Sequence, residues 1–366
     1  MHPLSGSNLG TLVRVLWENG GVAPRHLPHA AAALAATIAR WPLSTAEKIY
    51  VQRRLRREGP MPAPLFIVGH WRSGTTHLYN ILGKGGFGYV SPLAAGMPWD
   101  LLGLVGVLRP VLERALPEHR FIDSIPVNPD SPQEDEVALA NMSPLSFYHA
   151  LYFPKNFRRN FDRGVFLDGC TDAEIAAWQN AFVHFLYKVW LDQERRPLAI
   201  KNPVYTARVA MIRQIFPDAK FIHVYRNPYE VFRSMQNFFD KLLRQFAWQP
   251  YDHVAIDDVI LATYDRMMRA LIADSDGLPD HVFCEIRYES LERDPLGQIE
   301  HAYRALDLGA FEAARPAFEH YLAGIAGYRK NRFAYADETL TKVERHWAPF
   351  LARWGYGRPD SAPVPA

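Results

Sequence analysis

The chain has 366 residues, about half of them apolar, enough to bury a large core in one big α/β domain with insertions or in two modest domains. A formal net charge of +2 gives no global field for nucleic acid, and two cysteines, Cys170 and Cys284, leave no room for a disulfide framework or a cysteine-rich metal site. The first twenty positions lack the apolar run of a secretory leader and no segment reaches membrane-spanning length, so a soluble, cytoplasmic protein is the expectation.

Residues 1–60 read as a helical N-terminal segment packed on the core, with Leu12, Val15 and Leu16 and the alanine-rich stretch 30–40. Near its end the basic stretch Arg53, Arg54, Arg56, Arg57 reads as a solvated helix face; contact with a membrane surface is the less favoured reading. Pro60, Pro62 and Pro64 close this segment and lead into an apolar strand at 65–68. A main domain is expected over 61–357, with a mostly helical insertion at about 97–190. Inside that insertion 101–116 (LLGLVGVLRPVLERAL) is apolar with Pro110 in its middle, which predicts two short helices meeting at a kink. Core packing is favoured for most of its residues; a lid over a lipophilic substrate, or a contact surface, is the competing reading.

Further strands are predicted at 198–201 (LAIK), 220–225 (KFIHVY) and 282–287 (VFCEIR), and 204–216 repeats apolar residues at helical spacing up to Pro217. Strands alternating with helices argue an α/β fold in three layers, a central parallel sheet flanked by helices. The end of the chain, 358–366 (RPDSAPVPA), reads as a disordered tail.

In such sheets ligands sit at the carboxyl ends of the strands, and three strand ends carry suggestive chemistry. The first is FIVGHWRSGTTHL, 66–78. Strand, glycine-bearing loop and helix is the physical recipe for a phosphate, because free backbone N–H groups and the helix dipole point at the anion. The spacing Gly69-x-x-x-x-Gly74 matches the first half of a P-loop, yet Thr75 stands where a nucleotide kinase needs lysine. The second is Lys201-Asn202-Pro203, a cation directly after a strand. The third is KFIHVYRNPYEVFRSM, 220–235, with Arg226 at the strand end and Ser234 about two helical turns further on. A guanidinium fork suits a phosphate, and a helical serine can donate to the same group.

In this order and at these strand ends, the three segments resemble the sulfotransferase family, whose donor is 3′-phosphoadenosine 5′-phosphosulfate (PAPS). The resemblance runs from about 64 to 300 and takes in 283–295 (FCEIRYESLERDP), similar to the family's strand with its Y-E-x-L turn. GHWRSGTT and the KNP segment look closer to the bacterial and tyrosylprotein-type members than to the animal cytosolic ones, which carry lysine where Arg72 stands. The resemblance implies a P-loop-like fold and a PAPS-dependent transferase that forms adenosine 3′,5′-bisphosphate, with no metal expected. It implies Arg72, Ser73, Gly74, Thr75 and Thr76 around the 5′-phosphosulfate, Arg226 and Ser234 on the 3′-phosphate, and Tyr288 near the adenine. The family often closes a basic C-terminal segment over the nucleotide; Arg329, Lys330 and Arg332 of GYRKNRF match that in basic character only, and a solvated charge run is the competing reading.

Sulfuryl transfer needs charge stabilisation on the leaving phosphate and removal of the acceptor's proton. By resemblance Arg72 and Lys201 do the first. Tyrosylprotein-type members carry a glutamate downstream of the RSGTT arginine, but the corresponding region here, 88–95 (GYVSPLAA), holds no acid or histidine. The substitutes lie in SPQEDEV, 131–137, where Ser131 is expected to cap a helix; Glu134 and Glu136 are the leading bases, with His70 and His149 behind them. Acids favouring the helix dipole are the competing reading. The expected partner is a small, hydrophobic, possibly lipid-like hydroxyl or amine acceptor, with no nucleic acid. A P-loop kinase or NTPase, and a non-catalytic membrane-surface protein of the same fold, are the alternatives.

Overall fold

The computed structural model of the chain describes residues 2–114, 128–129, 131–325 and 335–360. Helices α1 (Leu9–Glu18) and α2 (Leu27–Glu58) precede strand β1 (Leu65–Val68), which feeds α3 (Thr75–Leu82). Three further long or functionally placed helices follow, α4 (Leu104–Arg114), α5 (Glu136–Met142) and α6 (Asp172–Asp192). Strand β2 (Ala199–Lys201), helix α7 (Val209–Ile215) and strand β3 (Lys220–Tyr225) come next, and β3 leads into α8 (Pro228–Phe246) and α9 (Ile256–Ser275). Strand β4 (Phe283–Arg287) runs straight into α10 (Tyr288–Arg293), and α11 (Asp337–Arg353) closes the order; further helical segments, among them Pro295–Ala305 and Phe311–Gly324, lie between the named elements.

The chain divides into two compact units. One comprises Met1–Pro62, Gly88–Ile200 and Lys241–Val254; the other comprises Ala63–Phe87, Lys201–Asp240 and Ala255–Ala366. The central sheet has the order β2-β1-β3-β4. Strand β1 pairs parallel with β3 from Leu65↔Lys220 to Val68↔His223, and β3 pairs parallel with β4 from Phe221↔Phe283 to Tyr225↔Arg287. All four residues of β1 are buried, as a strand covered on both faces requires. This is the parallel α/β architecture expected, with each strand within a residue of its predicted span. Because the strands are parallel, Gly69, Arg226 and Tyr288 all leave the sheet at the same edge.

In the first unit α2 is the long spine. It runs unbroken for 32 residues through Pro42 and stops at Gly59, whose φ of 83° suits glycine. Helix α6 packs against it and opens with a capping box between Thr171 and Glu174. The face α2 turns inward carries charge. Arg40 pairs with buried Asp100, and Glu47 pairs with Lys188 of α6 while accepting from the Leu102 and Gly103 amides at 3.1 and 2.7 Å.

Several local expectations need correction. The stretch 101–116 does not form two helices: α4 is continuous through Pro110, and 115–116 lie outside the described residues. The bond Pro110 cannot donate would go to Gly106, on an exposed turn where water can take the carbonyl. Core packing fails there too, because only Leu101 and Val105 of its described residues are buried. Ser131 caps no helix. Helix α5 starts five residues later at Glu136, after Asp135, while the Ser131 hydroxyl accepts from the Asn128 amide at 3.1 Å. In the expected tail, Arg358 is ion-paired with Asp337 and Glu344, and 361–366 lie outside the described residues.

Glu47 gathers one buried cation and two amides, so its removal should leave Lys188 buried without its counter-charge and both amides without this acceptor. Replacement of Glu47 by leucine should cost about 3–5 kcal/mol, the range for breaking a buried pair from one side. Glu47→Leu combined with Lys188→Met should recover part of that loss; urea unfolding of the four proteins in the cycle measures both.

Candidate active site

The site is built on a loop that leaves β1 under tight steric control. Gly69 has φ 146°, and a Cβ there would stand 2.4 Å from the Val224 carbonyl oxygen, so the chain passes directly over β3 only as glycine. Its amide donates to the Thr206 hydroxyl at 2.7 Å. Arg72 sits in the left-handed region at φ 68°, and Gly74 follows at φ 96° as the residue before α3. A Cβ at Gly74 would fall 2.0 Å from the Tyr288 ring, so that ring packs on the loop's backbone.

Three of the expected donor residues meet here. The Arg72 Nε donates to the Ser234 hydroxyl at 2.8 Å, and a guanidinium N–H of Arg226 donates to the Arg72 carbonyl at 3.3 Å. Arg226 lies over the Tyr288 ring, 4.6 Å from its centroid, and is ion-paired with Glu230 one helical turn on. Tyr288 therefore packs against the loop backbone and under Arg226. The sharp turn into α8 is set by Asn227, whose side chain accepts from the Tyr229 amide at 3.0 Å ahead of Pro228.

The loop presents an anion cradle. Helix α3 has no side-chain cap on its first turn and no acidic residue there. The buried Ser73 hydroxyl has no hydrogen-bond partner, and neither has the Arg226 Nε. Thr75 is buried at the first helical position and Thr76 half-buried beside it. These groups suit an anion, whose oxygens can accept from the donors left over. Lys201 ends β2 and is buried. Arg329, Lys330 and Arg332 lie outside the described residues.

The base candidates each have partners of their own. Glu136 is buried at the start of α5 and accepts from the Ser146 hydroxyl at 2.7 Å; Glu134 is half-buried just before the helix. His149 has both ring nitrogens on backbone carbonyls, Pro144 at 3.0 Å and Ala140 at 2.9 Å, so it ties loop to helix. His70 is buried with Nδ1 donating to the Trp71 carbonyl at 2.9 Å and its ring against Tyr264. Burial pushes its pKa down to about 4. It is a packing residue of the loop.

Sequence reading missed Glu230, Thr206 and Glu289. Glu230 was open to it, since Arg226 and Glu230 stand at i and i+4 where a helix begins. Glu289, the acid of the Y-E-x-L turn, accepts from the Asn227 amide at 3.0 Å and from the Tyr356 hydroxyl at 2.7 Å, and these two partners are too distant in sequence for the motif to have announced them.

A model of the sulfotransferase family matches residues 64–312. The chain is also 31% identical over 325 residues to omega-hydroxy-beta-dihydromenaquinone-9 sulfotransferase Stf3 of Mycobacterium bovis and of Mycobacterium tuberculosis, covering 87% of this chain and 81% of theirs. The chain belongs to the sulfotransferase family. Among solved structures, the fold is similar to sulfotransferase STF9 from Mycobacterium avium, with a TM-score of 0.65 at 14% identity over 95% of this chain and 96% of that one. Sulfotransferase STF1 from Mycobacterium tuberculosis is similar with a TM-score of 0.60 at 16% identity over 93% and 91%. The protein is thus an enzyme of the sulfuryl-transfer class, and the kinase reading falls, in keeping with Thr75 in the lysine position.

His70 links the loop to pH. Its folded pKa of about 4 lies below the ordinary 6.5, so as pH falls the unfolded chain takes up a proton first. The stability it contributes is complete above 6.5 and is lost as pH falls toward 4, at about 1.4 kcal/mol per pH unit. His70→Phe should flatten the loss of unfolding free energy between pH 7 and pH 5 by about 2 kcal/mol. Urea titrations of both proteins at the two pH values measure the difference.

Proposed function

We propose that this enzyme moves a sulfuryl group from PAPS to the hydroxyl of a hydrophobic, lipid-like acceptor. The observation that carries the donor assignment is the joint hold on Arg72, from Ser234 through its side chain and from Arg226 through its carbonyl. It couples a loop suited to a phosphosulfate with a cation and a hydroxyl suited to a second phosphate. The donor supplies a sulfuryl group activated as a mixed anhydride, less charged than a nucleoside triphosphate. Residues 72–76 receive the 5′-phosphosulfate, and Arg226 with Ser234 receives the 3′-phosphate. Arg72 and Lys201 place positive charge where the leaving phosphate gains negative charge. A carboxylate, Glu134 or Glu136, takes the acceptor's proton.

The acceptor reading is supported by the Mycobacterium relatives, whose name specifies a hydroxylated menaquinone as substrate, and by the aromatic content of this chain. An alcohol of that kind has a high pKa, which is the situation in which a general base matters most.

Two measurements test this reading. Adenosine 3′,5′-bisphosphate should bind more tightly than adenosine 5′-phosphate by about 1.5–3 kcal/mol, the range for a hydrogen bond to a charged group. Arg226→Ala should erase most of that difference in calorimetry; equal affinity of the parent for both nucleotides sinks the donor assignment. With an aliphatic alcohol as acceptor, Glu134→Gln or Glu136→Gln should lower turnover by about 10²–10⁴-fold while the bisphosphate still binds. If both glutamine variants turn over at the parental rate, neither carboxylate is the base.

A further inference from the structure

The surface of the first unit is built the wrong way round for water. Over Leu27–Glu47, helix α2 keeps its charged groups inside. Between Leu27 and Glu47 its only charged residues are Arg40 and Glu47, and both turn inward to Asp100 and Lys188, beside buried Thr37 and Ser44. A surface helix of a soluble protein does the opposite, burying an apolar stripe and wetting the charged one. The outward face here is apolar. Leu27, Ile38 and Ile49 recur every eleven residues, three helical turns, and are 57%, 51% and 43% exposed, with Trp41, Leu43 and Tyr50 exposed around them.

The neighbouring helices continue the pattern. Trp17 of α1, which packs on α2, is 86% exposed, and Val107 and Val111 of α4 are exposed beyond the turn whose amides Glu47 holds. Every large exposed hydrophobic side chain among the described residues lies on α1, α2 or α4. No described helix is long and apolar enough to cross a membrane. Where the apolar stripe of α2 ends, its exposed face turns basic: Arg53, Arg56 and Arg57 are exposed, with Lys48 one turn earlier. The acid there, Glu58, is already engaged by Arg54, Arg57 and Arg195.

We infer that this face docks on the surface of an anionic lipid bilayer, with the α2 stripe in the acyl boundary and the arginine end on headgroup phosphates. Exposed tryptophans beside an apolar stripe suit the interface between tail and headgroup. A second copy of the chain fits less well, since a two-fold contact sets the patch against itself and leaves the arginines without an anion. The inference rests on this surface alone and is independent of the donor and acceptor proposed above.

The test is co-sedimentation of the full chain with vesicles of phosphatidylcholine, with and without phosphatidylglycerol. The protein should pellet with the phosphatidylglycerol vesicles at low salt and be released by high salt. Arg53→Glu combined with Arg56→Glu and Arg57→Glu should lower the partition coefficient at least tenfold, since each basic residue near an anionic surface contributes about fivefold. Ile38→Glu with Trp41→Glu and Ile49→Glu should lower it by at least tenfold as well. The serine triple at the same three positions adds no charge and replaces the glutamate set if that set unfolds. Absence of pelleting with the phosphatidylglycerol vesicles, or pelleting indifferent to both sets of substitutions, overturns the inference. So does a dimer in sedimentation velocity that the Ile38, Trp41 and Ile49 substitutions dissociate while vesicles leave the parent unbound.

Discussion

Arg72 is held in a backbone conformation that a residue with a side chain adopts at a cost of about 1–2 kcal/mol, and the geometry of the donor loop follows from that. In this conformation its guanidinium reaches Ser234 on α8 while its carbonyl meets Arg226 at the end of β3. The glycines at 69 and 74 make the same excursion possible on either side, one because β3 passes too close for a Cβ and the other because Tyr288 does. A loop from one strand is thereby pinned to the exit of the next. Relaxing Arg72 to a right-handed conformation would move both its polar ends away from their partners. The local strain is offset by two hydrogen bonds that only the strained form makes.

This coupling explains why the motif could be read from a sequence at all. The strands are short apolar runs flanked by turn residues, and each dictates its own local structure. Arg226 and Ser234 are one strand end and two helical turns apart, so their convergence follows from helix geometry. What failed to be legible depended on surroundings that a residue pattern does not record. Pro110 suggested a break, but an exposed turn tolerates the lost bond and α4 continues. Ser131 had the chemistry of a cap, but its hydroxyl is taken by the Asn128 amide and the helix waits for Glu136. The inward charges of α2 were hidden for the same reason, since Asp100 and Lys188 lie far along the chain. Apolar and polar residues occur on both faces of α2, with Ala33 and Val51 buried beside Thr37, Ser44 and Glu47 and with Ile38, Trp41 and Ile49 exposed alongside Arg53 and Arg56, so no simple amphipathic pattern marks its sequence.

In the proposed function, the environment of Arg226 lets the site select a dianion over less charged anions. Its guanidinium is already shared between Glu230, the Tyr288 face and the Arg72 carbonyl. The Glu230 carboxylate offsets part of its charge, so a weakly charged or misplaced anion gains little by approaching. The same carboxylate, with the aromatic face, fixes the plane of the fork before any ligand arrives, which removes the rotamer entropy that a free arginine loses on binding. A phosphate that fits the fork and also reaches the Ser234 hydroxyl gains charge-assisted bonds at no further ordering cost. One that fits only the fork has to compete with Glu230. In the proposed function, selectivity for a nucleotide carrying the second phosphate comes from geometry shared by two residues on one strand–helix unit, and the loop held by Arg72 sets the distance between that phosphate and the first.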